Sequence, residues 1–262
     1  MRPWEKALIL INTNKLIIDP NSLKIEGGTG SKQCTVNRAG IVFIYTGTTQ
    51  GWVIKTSNSA NVIEGLAYNI SYLVIAGGGS ATSGDVGGGG AGGYRNSYAS
   101  ETSGRNSSTE TPITLSGGVN ITVTVGAGSS GWGNGSDSSI SGSGFTTITS
   151  IGGGKGAGSA PANSGGCGGG CADTARGGVA GSGTTGQGFG GGVGASDFSS
   201  YTSAGGGGGA GQVGQNSSGN TGGNGGNGLA SSITGSSVYR SGGGGGEGGN
   251  TPSGGLGGGG DE

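Results

Sequence analysis

In the stretch TGGNGGNG, Thr221 to Gly228, side chains occur only at Thr221, Asn224 and Asn227, a strict step of three with glycine everywhere between. Such a segment has nothing with which to build a hydrophobic core. Collagen places one glycine in three and adds abundant proline, whereas here two residues in three are glycine and proline is absent. A flexible Gly/Ser linker needs no period at all. What remains is a left-handed helix of three residues per turn, the polyproline II geometry adopted by glycine. It has three faces and no internal hydrogen bonds, so its N–H and C=O groups must pair with neighbouring chains when buried. A face pressed against a neighbour's backbone has room only for hydrogen. Two glycines in three therefore mean two packed faces and one free face.

The same reading extends over most of the chain beyond Ile151. Glycine runs at 152–158, 165–170, 186–194, 204–211, 221–228, 242–249 and 254–260 alternate with polar loops. The uninterrupted stretches Gly205–Gly209 and Gly242–Gly246 carry no side chain on any face, which predicts interior helices. The 221–228 run is predicted to lie in an outer layer with its Thr and Asn toward solvent. Ala204 and Ala210 stand six apart, two full turns, and Glu247 and Asn250 share one face. Fixing a residue costs roughly 1–2 kcal/mol, and most for glycine, while a net hydrogen bond returns only ~0.5–1.5 kcal/mol. One such helix alone would not hold; a lattice of seven or more, docked on other structure, would.

Composition supports an ordered but unusual molecule. The 262 residues include 74 glycines, yet formal charge is only −1, so repulsion does not keep the chain open. Lys and Arg form no cluster, which argues against nucleic acid. No apolar stretch reaches the roughly twenty residues that span a bilayer, and the run in MRPWEKALILI is too short and wrongly flanked for a secretory signal. Synthesis in a cytoplasm is expected. With no histidine there is no Ser-His or Cys-His pair and no His metal site. The carboxylates of the second half are scattered, and GGGKGAGS lacks the Gly-Lys-Ser/Thr ending of a phosphate loop. No enzyme activity, cofactor or metal is expected. Cys167 and Cys171, four extended residues apart, lie about 12 Å from one another, beyond disulfide reach, and read as small buried thiols.

The first 150 residues read as β-structure: KALILI, NKLII, GIVFIY, GWVIK, NISYLVIA, VNITVTV and GFTTITSI are short, rich in β-branched residues and bounded by Asn, Gly, Ser and Pro. Val119, Ile121, Val123 and Val125 alternate strictly, which predicts one buried face. Glycine tracts after Ala76 and at 87–93 interrupt this half. The predicted fold class is an all-β N-terminal half, 1–150, followed by a polyglycine II helix sandwich, 151–262, with almost no α-helix. Trp4, beside charges, reads equally as a partner anchor or as a residue folded back on its own sheet.

If consecutive runs are antiparallel, loops fall alternately at two ends of a slab about 22–28 Å long, from seven to nine residues at ~3.1 Å each. On that count 195–203 (ASDFSSYTS) and 229–241 (LASSITGSSVYRS) emerge together. They hold every aromatic after Phe189. Asp197, Phe198, Ser199, Ser200, Tyr201, Val238, Tyr239 and Arg240 then form one tip, with aromatic and Arg character suited to recognition. The plain alternative is that these residues plug the slab ends as small satellite cores.

The segments GFGGGVG-ASDFSSYTS-AGGGGGAG and TGGNGGNG-LASSITGSSVYRS-GGGGGEGG, behind a β-rich start MRPWEKALILIN, resemble the receptor-recognising adhesins at the tips of T-even-type bacteriophage long tail fibres. The similarity runs over essentially the whole chain. It implies an N-terminal domain attached to the distal end of a trimeric fibre shaft, with Trp4 in the attachment part. It implies a C-terminal polyglycine II sandwich whose loops touch bacterial outer-membrane proteins, porins among them, with 195–203 and 229–241 as matching loops and 172–185 as a further candidate. The location implied is the virion, at the distal fibre tip. The expected function is thus a non-catalytic adhesin. A glycine-rich coat or wall protein without a specific ligand is the alternative, and a polysaccharide-degrading enzyme a distant third.

Overall fold

A computed structural model describes residues 7–10, 16–18, 32–34, 40–45, 48–49, 51–56, 68–81, 86–115, 119–172, 177–195 and 203–261. Among them there is no α-helix; regular structure consists of short strands in small antiparallel sheets and one 3-10 turn at 104–106. Each of the seven predicted segments contains a strand. The chain divides into two compact units, Met1–Asn69 with Thr114–Val119, and Ile70–Ile113 with Asn120–Glu262.

The first unit holds a three-stranded antiparallel sheet in which β4 (Gly40–Tyr45) lies between β1 (Ala7–Leu10) and β5 (Trp52–Thr56). A second pair joins β2 (Leu16–Ile18) to β3 (Lys32–Cys34). NISYLVIA breaks at Ser71 into two strands of different sheets: β6 (Tyr68–Ile70) pairs with β9 (Ile113–Leu115), and β7 (Leu73–Ile75) with β8 (Tyr94–Asn96). The break is held by Tyr72, which is buried and whose backbone N–H donates to Ser97 Oγ. In the second unit β11 (Ser138–Gly142) lies between β10 (Ile121–Thr124) and β12 (Ile148–Ser150), and β13 (Leu229–Ser231) pairs with β14 (Val238–Arg240).

The glycine runs of the second unit form a lattice whose period is written in its hydrogen bonds. Along 204–210, the amides of Ala204, Gly207 and Ala210 donate to the carbonyls of Glu247, Gly244 and Ser241. Those of Gly205 and Gly208 donate to Cys171 and Gly168, and those of Gly206 and Gly209 to Gln215 and Gln212. Every third residue thus meets the same neighbour, three residues further along it. Carbonyls use the directions between. Ala204 and Gly207 accept from Gly223 and Gly226, Gly205 and Gly208 from Gly88 and Ala91, Gly206 and Gly209 from Gly192 and Phe189. This is the three-per-turn helix with six neighbours around it.

Enclosure explains why the sequence is glycine there. A Cβ placed on Gly206 would sit 2.1 Å from the Asn224 carbonyl oxygen, on Gly207 2.0 Å from that of Gly89, and on Gly208 2.2 Å from that of Phe189. Three successive residues therefore strike backbone on three sides. All of 203–210 is buried, as the absence of side chains predicted, and so is all of 165–172. Cys167 and Cys171 are free, fully buried thiols in that second run, again as expected. Burial pushes the Cys167 thiol up to about 12, so it stays protonated.

Three features depart from the sequence reading. The glycine tracts of the first half do not merely interrupt strands: Gly87, Gly90 and Gly93 donate to the carbonyls of Ala157, Gly154 and Ile151, and Gly79 to that of Gly90, so both tracts are lattice members. The 242–246 run is not enclosed on every side. Gly242, Gly243 and Gly246 are buried, but Gly244 and Gly245 border an open groove. Third, Asn224 and Asn227 do more than face solvent. Gly225 and Gly228 donate to the carbonyls of Ser253 and Leu256, whose own amides donate to Asn224 Oδ1 and Asn227 Oδ1 at 2.9 Å. Each carboxamide supplies the acceptor that a further backbone would have offered. Asn134 Oδ1 and Asp137 Oδ1, also three apart, do the same for the amides of Lys155 and Gly152.

Gly207→Ala is expected to lower stability by at least about 1–3 kcal/mol, since backbone must move to admit the methyl. Gly131→Ala, with nothing within 4 Å of its Cβ position, should leave the melting temperature unchanged. Thermal unfolding of the two variants checks this. Replacing Asn224 and Asn227 together by Ala should speed hydrogen exchange at the Ser253 and Leu256 amides while leaving the 204–210 amides protected.

Candidate functional site

Run directions give the lattice two distinct ends. The 204–210 run is antiparallel to 241–247, since Ala204 pairs with Glu247 and Ala210 with Ser241. The 222–228 run is parallel to 204–210, through Gly223 with Ala204 and Gly226 with Gly207. One end therefore gathers residues 81, 86, 157, 171, 195, 203, 217–222 and 247–250. Among the described residues only loops and isolated bridges occur there, including Ala195 with Ser203, Ser218 with Thr221 and Thr221 with Asn250. The other end carries β7, β8, β10–β12 and the β13–β14 hairpin.

This arrangement corrects the expectation of a single tip. The connection from Ala195 to Ser203 leaves at the loop end, while 229–241 leaves at the strand end. The count failed because QVGQN, 212–216, is not a loop: Gln212 and Gln215 accept from Gly209 and Gly206, making an additional antiparallel strand that reverses the order of everything after it. Asp197, Phe198, Ser199, Ser200 and Tyr201 lie outside the described residues, as does Trp4; their flanks at 195 and 203 fix the end from which that loop departs.

The hairpin is held by a partly buried polar network. Glu101 accepts from the Ser232 backbone amide at 2.8 Å, the Ser232 hydroxyl at 2.7 Å and Asn96 Nδ2 at 3.0 Å. Burial raises the Glu101 pKa, but these bonds and that from Ser231 outweigh it and hold the carboxyl at about 2. Beneath it Glu110 accepts from Arg95 Nη2 at 2.6 Å, Tyr72 Oη at 2.8 Å and Ser103 Oγ at 2.8 Å. The hairpin itself turns through Gly235 at φ 94°, whose amide donates to the Ser232 carbonyl. Arg240 does not reach outward. Its Nη1 donates to the Val238 carbonyl and its Nη2 to Thr234 Oγ1, closing the hairpin on itself. Tyr239 is 51% exposed and Val238 40%.

Beside the hairpin lies an apolar trough of about 580 Å³, walled by Ile70, Ile75, Ile121, Val123, Ile140 and Ile233. Of the strictly alternating side chains, Ile121 and Val123 of β10 border this trough, and the set is not buried: Val123 is 64% exposed and Val125, just past the strand, 82%. The alternation correctly marks one apolar face. That face lines the open trough and, among the described residues, is not covered by a second layer.

A model of a glycine-rich domain family matches residues 54–262, the strands from β6 onward and every lattice run included. The chain belongs to the glycine-rich domain family. No curated protein and no solved structure is significantly similar to it. Within this glycine-rich domain the sequence reading missed Trp132, which is 74% exposed in the 129–133 turn. Ser129 and Ser80 anchor that turn through bonds to Gly78 and Gly133, which places it at the loop end. The available signal was Trp between glycines, SGWGNG, where no strand surrounds it. Among the described residues no group of three or more His, Cys, Asp or Glu is placed to hold a metal ion, and no helix is long and apolar enough to cross a membrane.

Because the folded Glu101 pKa is depressed to about 2 from its ordinary 4.5, its contribution is complete above pH ~4.5 and fades as pH falls toward 2. The protection of the Ser232 amide, its exchange relative to a free amide at the same pH, should fall over that window in the wild type. Glu101→Gln should show low protection there at neutral pH with no further acid response.

Proposed function

We propose that this chain is a non-catalytic bacteriophage adhesin, carried at the distal tip of a long tail fibre and binding a bacterial outer-membrane protein of the porin class. The observation that carries the reading is the division of the lattice into a loop end and a strand end. Loops from many separate runs converge at one end, held at their bases by backbone that their own sequences do not influence. A scaffold of that kind lets recognition residues change without disturbing the fold. Trp132 and the aromatic ASDFSSYTS loop supply side chains of the type that dominates binding hot spots. Phe198 and Tyr201, with Asp197, Ser199 and Ser200 beside them, are therefore assigned to receptor contact.

Val238, Tyr239 and Arg240 belong to the opposite end and are assigned away from the receptor. The strands there come mostly from the N-terminal half, which is assigned to the trimeric shaft protein, with Trp4 as an anchor. The chain works without cofactor, nucleic acid or membrane insertion in this reading. Exchanging 196–202 for the corresponding loop of a related adhesin should change which bacteria are bound by the assembled phage, and Phe198→Ala with Tyr201→Ala should weaken adsorption at least tenfold, roughly the loss of one hot-spot residue. Exchanging 232–237 should leave host choice unaltered. If host choice instead follows the hairpin, the assignment of ends is wrong; if it follows neither, the adhesin reading gives way to a structural glycine-rich protein.

A further inference from the structure

Around the 86–93 run, one lattice position holds no strand among the described residues. The amides of Gly87, Gly90 and Gly93 point to the 151–157 run and those of Gly88 and Ala91 to Gly205 and Gly208. The third amide direction is served at Val86 by a side chain, Glu247 Oε2 at 3.2 Å. At Gly89 it has no partner among the described residues. On the adjacent run, Ala76 and Gly79 donate to Gly93 and Gly90, and Gly77 and Ser80 to Ser136 and Gly133, while the Gly78 amide between them likewise has none. Both glycines wall the groove that also runs along Gly244, Gly245 and Gly258–Gly260, about 240 Å³ in volume.

Three glycines of this groove break the rule that governs the enclosed runs, while Gly79, Gly89, Gly90, Gly242, Gly245 and Gly259 follow it. In an enclosed run an added Cβ strikes a carbonyl at about 2 Å, as at Gly206 and Gly207. At Gly78 the nearest atom would be 3.8 Å away, at Gly244 3.4 Å, and at Gly260 nothing lies within 4 Å. The folded chain has room for alanine at all three and carries none. Walls of glycine with only Ala81, Ala91 and Asp261 besides, and one unmatched amide on each of two adjacent runs, describe a place where a further strand fits.

We propose that this groove receives a glycine-rich strand from another polypeptide, in the same three-per-turn conformation, as a further lattice member. Recognition rests on the backbone: the incoming strand offers carbonyls to Gly78 and Gly89, and its faces toward the walls carry only hydrogen. A step of three with one free face, as in TGGNGGNG, meets that requirement. The groove walls extend about one to two turns, so three to six residues at ~3.1 Å each suffice.

The test uses the full chain and a soluble synthetic peptide of three Gly-Gly-Asn repeats, with a peptide of three Ala-Ala-Asn repeats as control. Binding is followed by calorimetry and by residue-resolved amide exchange. The glycine peptide should slow exchange at Gly78 and Gly89 roughly tenfold or more, the protection a newly formed backbone hydrogen bond confers, without altering Gly207. The alanine peptide should do neither. Gly78→Ala and Gly244→Ala should keep the wild-type melting temperature, because the free chain accommodates the methyl, yet lose peptide binding. Unchanged exchange at Gly78 and Gly89 with saturating glycine peptide overturns the proposal. So does equal binding of the alanine peptide, or undiminished binding by the two folded variants.

Discussion

The structure depends on hydrogen bonds between backbones that no side chain keeps apart. In an ordinary domain these bonds are made within helices and sheets, and side chains then pack the elements together. Here the two tasks fall to the same groups. The amides of 204–210 bond outward in three directions and its carbonyls in three others, so every neighbour is both a hydrogen-bonding partner and a packing surface. Cooperativity is built in, because no run is complete until its neighbours arrive. Each glycine loses much conformational freedom, and only near-complete pairing offsets that loss.

Where the lattice ends, other groups take over. At its sides, carboxamides and carboxylates at the three-residue spacing, Asn224, Asn227, Asn134 and Asp137, cap strand amides that have no further neighbour. At the strand end, the Glu101 and Glu110 networks tie the conventional β-structure together, and the Tyr94 and Arg105 amides bond it to Gln187 and Ala210 of the glycine core. At the loop end no such layer occurs among the described residues. The molecule therefore presents two unlike surfaces from one scaffold. This asymmetry is what gives a receptor-facing and a shaft-facing assignment its physical sense.

Much of the fold was legible because its two periods are simple. The period of three in TGGNGGNG marked an outer run with a free face, and bare glycine in 205–209 marked an enclosed one. Segments rich in β-branched residues yielded strands in every case, whereas β3, β8, β9, β11, β13 and β14 went unseen: KQC, YRN, ITL, SSISG, LAS and VYR are too short or too polar to show alternation. The site was less legible. Val213 and paired glutamines disguised 212–216 as a loop, although a strand needs glycine only on faces that meet backbone, and this one lies where two of its faces are open enough for side chains. Missing one strand inverted the direction of all later runs and moved the hairpin to the wrong end. The apolar face of β10 was visible in the sequence, but no pattern reveals whether a face is covered.

The near-absence of large side chains from the lattice also governs how its stability responds to temperature. The heat capacity of unfolding comes chiefly from newly hydrated apolar surface and is reduced by newly hydrated amides. A lattice whose buried surface is mainly peptide group exposes little of the first and much of the second. Its increment per residue lies well below the usual ~12–15 cal/mol/K. The free-energy curve of such a body is broad and shallow, so cooling erodes it little.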